Sequence, residues 1–243
     1  FGGDVPADGA AIAYPVTKDA LSGTPLPGLS PSAVEAVRAA AAAQRFEGEA
    51  GGVAETFAGE AGAMRRIILA GIGAGSDDDF ERAGAAITAR LLTSGERAVS
   101  IALSGLAVRP SAEAAARLAL GLKLRSWRYD HYRTRLPEKQ KPSLERALIA
   151  GAAEGTDAAW ARHDAIAQGV GFTRELVTEP ANIIYPESFV DRCRKLESLG
   201  VAIEVLGQKE MEEAGMGALL GVNQGSAREP RLLVMRWNGT GED

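Results

Sequence analysis

Apolar positions along the chain switch between two patterns: short unbroken or alternating runs, and stretches repeating every three to four residues. Residues 11–16 form an apolar run that predicts a strand. Ser30 and Pro31 then predict a helix start, a capping hydroxyl followed by proline at the first helical position. Val34, Val37 and a run of alanines carry that helix to about Gln44. Residues 65–72 read as a strand apolar on both faces, as inside a parallel sheet, and the glycines of 71–75 break it. Ser76 with Asp79 three residues on resembles a capping box, and Phe80, Gly84, Ile87 and Leu91 share one face of the helix it opens. A strand at 99–103, a helix at 111–124 with Leu118 and Leu122 inward, and a strand at 146–150 follow. The order βαβα predicts an α/β fold, a mostly parallel sheet with helices on its faces.

After Gly155 the texture changes. Residues 157–178 read as one long helix, with Ile166, Val170, Leu176 and Val177 near helical spacing, and Glu179-Pro180 ends it. Pro186 starts another helix whose apolar face holds Phe189, Val190, Cys193 and Leu196, and Gly200 closes it. A strand at 201–206, a short helix at 209–214 and a strand at 231–237 complete the pattern. A domain boundary is expected near residue 150, with an N-terminal α/β domain over 1–150 and the long helix leading into a second domain over 151–243.

Composition narrows the class. Of 243 residues, 45 are alanine and 54 are Ile, Leu, Val or Phe, enough for a core of small-residue contacts and above the range of disordered chains. The longest run without a polar side chain, 67–75, is far too short to span a bilayer. No basic segment followed by an apolar one marks a secretory leader, and Phe1 in place of an initiator methionine is expected to mean a true start that is cleaved, trimmed or outside this sequence. The single cysteine, Cys193, cannot form an internal disulfide, which suits a reducing compartment. These features predict a soluble cytoplasmic protein with no membrane partner.

The net charge of −5 argues against a globally basic nucleic-acid binder, but the charge is uneven. Residues 117–141 hold eight basic side chains against Asp130 and Glu138, a local +6. Trp127, Tyr129 and Tyr132 lie among those arginines and could stack on bases while the cations meet phosphates. The plainer reading is aromatics packed beneath a solvated basic face, since no nucleic-acid motif accompanies the charge.

Other candidate chemistry is thin. The turn Gly71-Ile72-Gly73-Ala74-Gly75-Ser76 lies between strand and helix but lacks the third glycine of the dinucleotide fingerprint. Asp77, Asp78 and Asp79 suit a helix N-terminus and repel a phosphate, so a tight joint is expected there. Consecutive aspartates splay around a helix, and His131 and His163 are isolated, so no metal-ligand set is recognised. No Gly-x-Ser-x-Gly elbow is present, and Cys193 on an apolar helix face reads as a core thiol.

A resemblance alters this picture. Residues 173–182, Thr-Arg-Glu-Leu-Val-Thr-Glu-Pro-Ala-Asn, followed by Tyr185-Pro186-Glu187-Ser188-Phe189, resemble the opening of the catalytic domain of cytosol (leucyl) aminopeptidases. Residues 215–226, Gly-Met-Gly-Ala-Leu-Leu-Gly-Val-Asn-Gln-Gly-Ser, with Pro230-Arg231-Leu232 behind them, do so as well. Upstream, 119–132 with its Trp127-Arg128-Tyr129-Asp130 core is similar to the end of that family's N-terminal domain, and 67–73 also fits. The family usually has Asn where Thr178 stands, and Thr or Ser where Tyr185 precedes the proline.

The resemblance implies a macro-domain-like N-terminal α/β domain, a linking helix and the first strands and helices of a larger α/β catalytic domain. It further implies an aminopeptidase acting on peptides with two divalent metals, Zn or Mn, in a hexamer. In that family the metals would lower the pKa of a shared water and hold the scissile carbonyl. The family's metal ligands and catalytic Lys and Arg lie beyond the strand that ends near Trp237. The resemblance therefore assigns no catalytic, cofactor-binding or metal residue within this chain. A product of residues 1–243 alone is expected to be inactive and poorly soluble. The competing reading is a non-catalytic binding or oligomerisation module, its 117–141 surface facing nucleic acid or a partner protein.

Overall fold

Five strands build the first sheet of the computed structural model, which describes residues 1–2, 11–18, 23–60 and 62–239. They are β1 (Ala11–Val16), β2 (Val53–Glu60), β3 (Ala63–Gly71), β4 (Ala98–Ala102) and β5 (Arg146–Ala150), in the order β2-β3-β1-β4-β5. β1 pairs in parallel with β3 (Ile12 opposite Ile67) and with β4 (Ile12 opposite Ser100), and β4 pairs in parallel with β5. β2 is antiparallel to β3, with Val53 opposite Ala70. All six residues of β1 are buried, as the centre of a sheet covered on both faces requires.

Side-chain alternation divides the core in two. Ile12, Tyr14 and Val16 face α1 (Pro31–Ala43), joining Val37, Ala41, Ile67 and Leu69. Ala11 and Ala13 face the other way, with Ile68, Ile101, Ile87 and Leu118 beneath α2 (Asp77–Leu91) and α3 (Ala112–Ser126). α1 begins as its sequence predicts: the Ser30 hydroxyl accepts from the Ala33 N–H, and Pro31 occupies the first helical position. Burial pushes the Tyr14 phenol pKa up, and its hydroxyl donates to the Pro27 carbonyl at 2.7 Å.

The strand β2 has no counterpart among the predicted elements. Its buried side chains are only Ala54 and Ala58, and its other positions include Glu55, Thr56 and Gly59, so it carries little periodic signal. Pairing with β3 creates it, and also starts β3 two residues before the predicted strand. Its outer edge is partly closed by Gln44, whose side-chain amide donates to the Glu55 carbonyl (2.9 Å) and accepts from the Glu55 N–H (3.2 Å). A side chain thus occupies backbone groups that would otherwise invite another strand.

The chain divides into two compact units, Phe1–Gly171 and Phe172–Asp243. The long helix α4 (Thr156–Thr178) contributes most of its length to the first. The second unit also holds α5 (Pro186–Cys193), a 3-10 turn over Arg194–Leu199, β6 (Ala202–Leu206), α6 (Gln208–Glu213), α7 (Gly217–Asn223) and β7 (Leu232–Arg236). β6 and β7 form an antiparallel pair, Ala202 opposite Arg236. No helix among the described residues is long and apolar enough to cross a membrane.

Candidate functional site

The glycine-rich turn after β3 is the first place to test. Four of its backbone donors are engaged: Gly71 to the Gly52 carbonyl, Ile72 to Val16 and Gly73 to Gly48, each at 2.9 Å, and Gly75 to Ile72 at 2.6 Å. A phosphate cradle needs such N–H groups free and converging. The glycines serve close packing instead, because a Cβ on Gly71 would lie 1.9 Å from the Glu49 carbonyl oxygen. Ser76 and Asp79 complete a reciprocal capping box, the Asp79 carboxylate accepting from the Ser76 N–H (3.1 Å) and hydroxyl (2.7 Å). This turn is a strand-to-helix joint, as expected.

The aspartates of α2 diverge. Asp79 turns back to the cap, while Asp78 lies 3.5 Å from Arg117 on α3. No group of three or more His, Cys, Asp or Glu side chains among the described residues could hold a metal ion. The described residues therefore do not fit the divalent metals that the resemblance implies.

Much of the basic charge at 117–141 is matched locally. Arg117 is surrounded by Glu81 (2.8 Å), Asp78 (3.5 Å) and Glu113 (3.5 Å), and the Glu81 hydrogen bond chiefly raises its pKa further. Arg128 and Arg133 both approach Asp130, at 2.6 and 3.6 Å, and Lys141 reaches Glu138 at 2.7 Å. Trp127 and Tyr129 stack on each other with centroids 6.2 Å apart, and His131 meets Tyr132 edge-on at 4.8 Å. Base stacking needs open aromatic faces beside free cations. Here neighbouring rings and Asp130 already occupy several of those groups, which weakens the nucleic-acid reading.

His163, buried on α4, places Nε2 2.7 Å from Glu113 Oε1 on α3, and its Nδ1 is buried with no hydrogen-bond partner among the described residues. That hydrogen bond is the main cause holding the Glu113 carboxyl below its ordinary range, with the charges of His163 and Arg162 helping. A depressed carboxyl stabilises the fold above its unfolded pKa of about 4.3, and the contribution disappears as pH falls through the folded value. Glu113→Gln should therefore be less stable than the unaltered protein at pH 7, with the gap closing below about pH 4. Urea midpoints measured from pH 3 to 7 check this; a gap independent of pH would overturn it. Cys193 is buried on α5, as its helix face predicts, and burial raises its thiol pKa.

In the second unit, segments far apart in sequence come together. Glu179 is buried, and its carboxylate meets Arg192 of α5 at 2.5 Å, while the same guanidinium reaches Glu175 at 3.1 Å. The Arg228 guanidinium lies over the Tyr185 ring, 3.8 Å from its centroid, and Asn223 at the end of α7 donates to the Arg228 carbonyl at 3.1 Å. The start of α5 and the loop after α7 are thereby tied to one another.

Comparison with known proteins decides what these segments belong to. Residues 17–136 match the N-terminal domain of the cytosol aminopeptidase family, and residues 171–243 match that family's catalytic domain. The chain belongs to the cytosol aminopeptidase family. A probable cytosol aminopeptidase of Methylorubrum extorquens is 36% identical over 223 residues, covering 90% of this chain and 44% of that protein. Another, of Afipia carboxidovorans, is 39% identical over 213 residues, covering 86% and 42%. The chain thus spans less than half the length of these relatives. In structure it is similar to a tomato leucine aminopeptidase mutant, TM-score 0.82 at 22% identity, over 100% of this chain and 51% of that one. A bottromycin maturation enzyme in complex with Mn superposes with TM-score 0.70 at 22% identity, over 96% of this chain and 46% of that chain. At that identity the likeness speaks for the fold alone.

Glu179, Tyr185 and Asn223 all fall within the family-like segments, yet the sequence reading gave Glu179 no role beyond ending the long helix. An acidic residue before proline looks like a helix stop, and only the folded chain shows Arg192 reaching it. The two departures are also accommodated. The Thr178 hydroxyl donates to the Arg174 carbonyl at 2.7 Å. At Tyr185 the first turn of α5 is satisfied from the other direction, with Ser188 Oγ accepting from the Tyr185 N–H at 2.9 Å.

Proposed function

We propose that residues 1–243 are the N-terminal domain and the beginning of the catalytic domain of a leucyl aminopeptidase-type enzyme. It releases N-terminal residues such as leucine from peptides in the cytoplasm, as a hexamer, using two divalent ions, Zn or Mn. One observation carries this reading: the family's N-terminal and catalytic domains match this chain in that order. On this reading the metal ligands and catalytic residues lie in sequence following Asp243, where the resemblance to the family puts them. The domain boundary near residue 150, with the long helix leading into the catalytic part, belongs to the same proposal.

The second unit supports it. Val177, Leu199, Val222 and Trp237 are 79%, 71%, 88% and 71% exposed, and the β6–β7 pair has no further strand among the described residues. Apolar surface of this kind is what the rest of a catalytic domain would cover. The experiment compares two proteins on leucine p-nitroanilide: the parent gene product with a complete catalytic domain, and residues 1–243. The parent should release leucine, lose activity to a chelator and regain it with Mn or Zn; residues 1–243 should be inactive with either metal. Metal-independent activity of the parent, or activity of a mass-verified 243-residue product, would overturn the assignment.

A further inference from the structure

The first unit contains a cavity of about 350 Å³ between the C-terminal half of α3, the start of β5 and α4. Its size falls in the range of small-molecule sites, roughly 300–1,000 Å³. Leu122, Ile149 and Trp160 supply apolar walls. Polar groups within it are already satisfied internally: the Thr88 hydroxyl donates to the Leu122 carbonyl and the Ser126 hydroxyl to the Lys123 carbonyl.

Charge at the cavity is one-sided. Lys123 and Arg146 both line it, both are exposed, and neither side chain forms an ion pair among the described residues. The one acid lining it, Glu145, is held by Arg97, whose Nη2 lies 3.0 and 2.8 Å from its two oxygens. Two uncompensated cations beside apolar walls complement an anion with an apolar body. A neutral apolar molecule would use only the walls, and an inorganic anion only the cations.

We propose that this cavity is a ligand site for a small monocarboxylate with an aliphatic or aromatic body. The carboxylate sits between Lys123 and Arg146 while the body lies against Leu122, Ile149 and Trp160. The site lies wholly within the first unit, so it does not depend on the aminopeptidase reading.

Octanoate and octan-1-ol are the probes, titrated into the protein and followed by tryptophan emission and by calorimetry. Trp160→Phe identifies the part of the emission change that arises in the cavity. Octanoate should bind saturably, at least tenfold more tightly than octan-1-ol, and weaken as salt screens the cations. The double substitution Lys123→Gln/Arg146→Gln should weaken octanoate at least tenfold and leave octan-1-ol unchanged. Three results would overturn the proposal: no saturable response to millimolar octanoate, equal affinity for the alcohol, or unchanged octanoate affinity in the double variant. The comparison of the two probes on the unaltered protein decides the matter even if the double variant folds poorly.

Discussion

Gly121→Ala should cost the first unit about 3 kcal/mol or more, although alanine is the better helix former by about 1 kcal/mol. A Cβ at Gly121 would lie 1.9 Å from the Glu81 carbonyl oxygen, and one at Gly84 would lie 2.1 Å from that of Leu118. The obstacles are backbone atoms of the opposing helix, so no rotamer change relieves the clash; α2 and α3 must move apart. They cannot do so cheaply, because Phe80, Ile87, Leu91, Leu118 and Leu122 form one buried layer with the sheet beneath them. Gly169→Ala supplies the matched control. Gly169 lies in α4, and a methyl group there would have nothing within 4 Å, so that change should be neutral or stabilise by up to about 1 kcal/mol. The urea midpoint should therefore fall for Gly121→Ala and hold or rise for Gly169→Ala. Equal small shifts would mean that the helices are not in backbone contact.

Arg192→Leu should loosen the second unit by roughly 2 kcal/mol, because it removes the guanidinium that reaches the buried Glu179 carboxylate from α5. The Glu179 side chain is only 4% exposed, so water cannot take over the lost contact without the chain opening. Glu175 shares the same guanidinium but is 46% exposed, and Glu175→Gln should cost less than about 1 kcal/mol. Combining Glu179→Gln with Arg192→Leu should recover part of the loss, since removing both partners leaves no buried charge. Hydrogen exchange at the α5 amides resolves the effect within this unit. If Arg192→Leu exchanges no faster than Glu175→Gln, the buried pair is not what holds α5 to the end of α4.

Several features are legible in the sequence alone. The caps at Ser30, Ser76 and Pro186, the strands at β1, β4 and β5, and the inward faces of α2 and α3 all follow from residues close together in sequence. The same holds for the rejection of the glycine-rich turn as a phosphate site, since three aspartates follow it directly. Family membership was readable for a related reason: its motifs are contiguous strings. The strand β2 and the helix α7 were not predicted. β2 depends on β3 for its hydrogen bonds and on Gln44 for its edge, and α7 begins at Gly217 without a capping side chain.

The sequence by itself determined the period, the caps and the family, because each is written in residues within a few positions of one another. Only the tertiary structure decided which charges remain free. The basic run at 117–141 looks like an open surface as a string. In the fold, Arg117 faces acids on α2 and α3, Asp130 draws in Arg128 and Arg133, and Lys123 is left with Arg146 beside an apolar cavity. It also decided that Gly84 and Gly121 meet, and that Glu179 finds Arg192. Coulombic pairing and steric contact depend on distance in space, and the chain sets those distances only when distant elements pack.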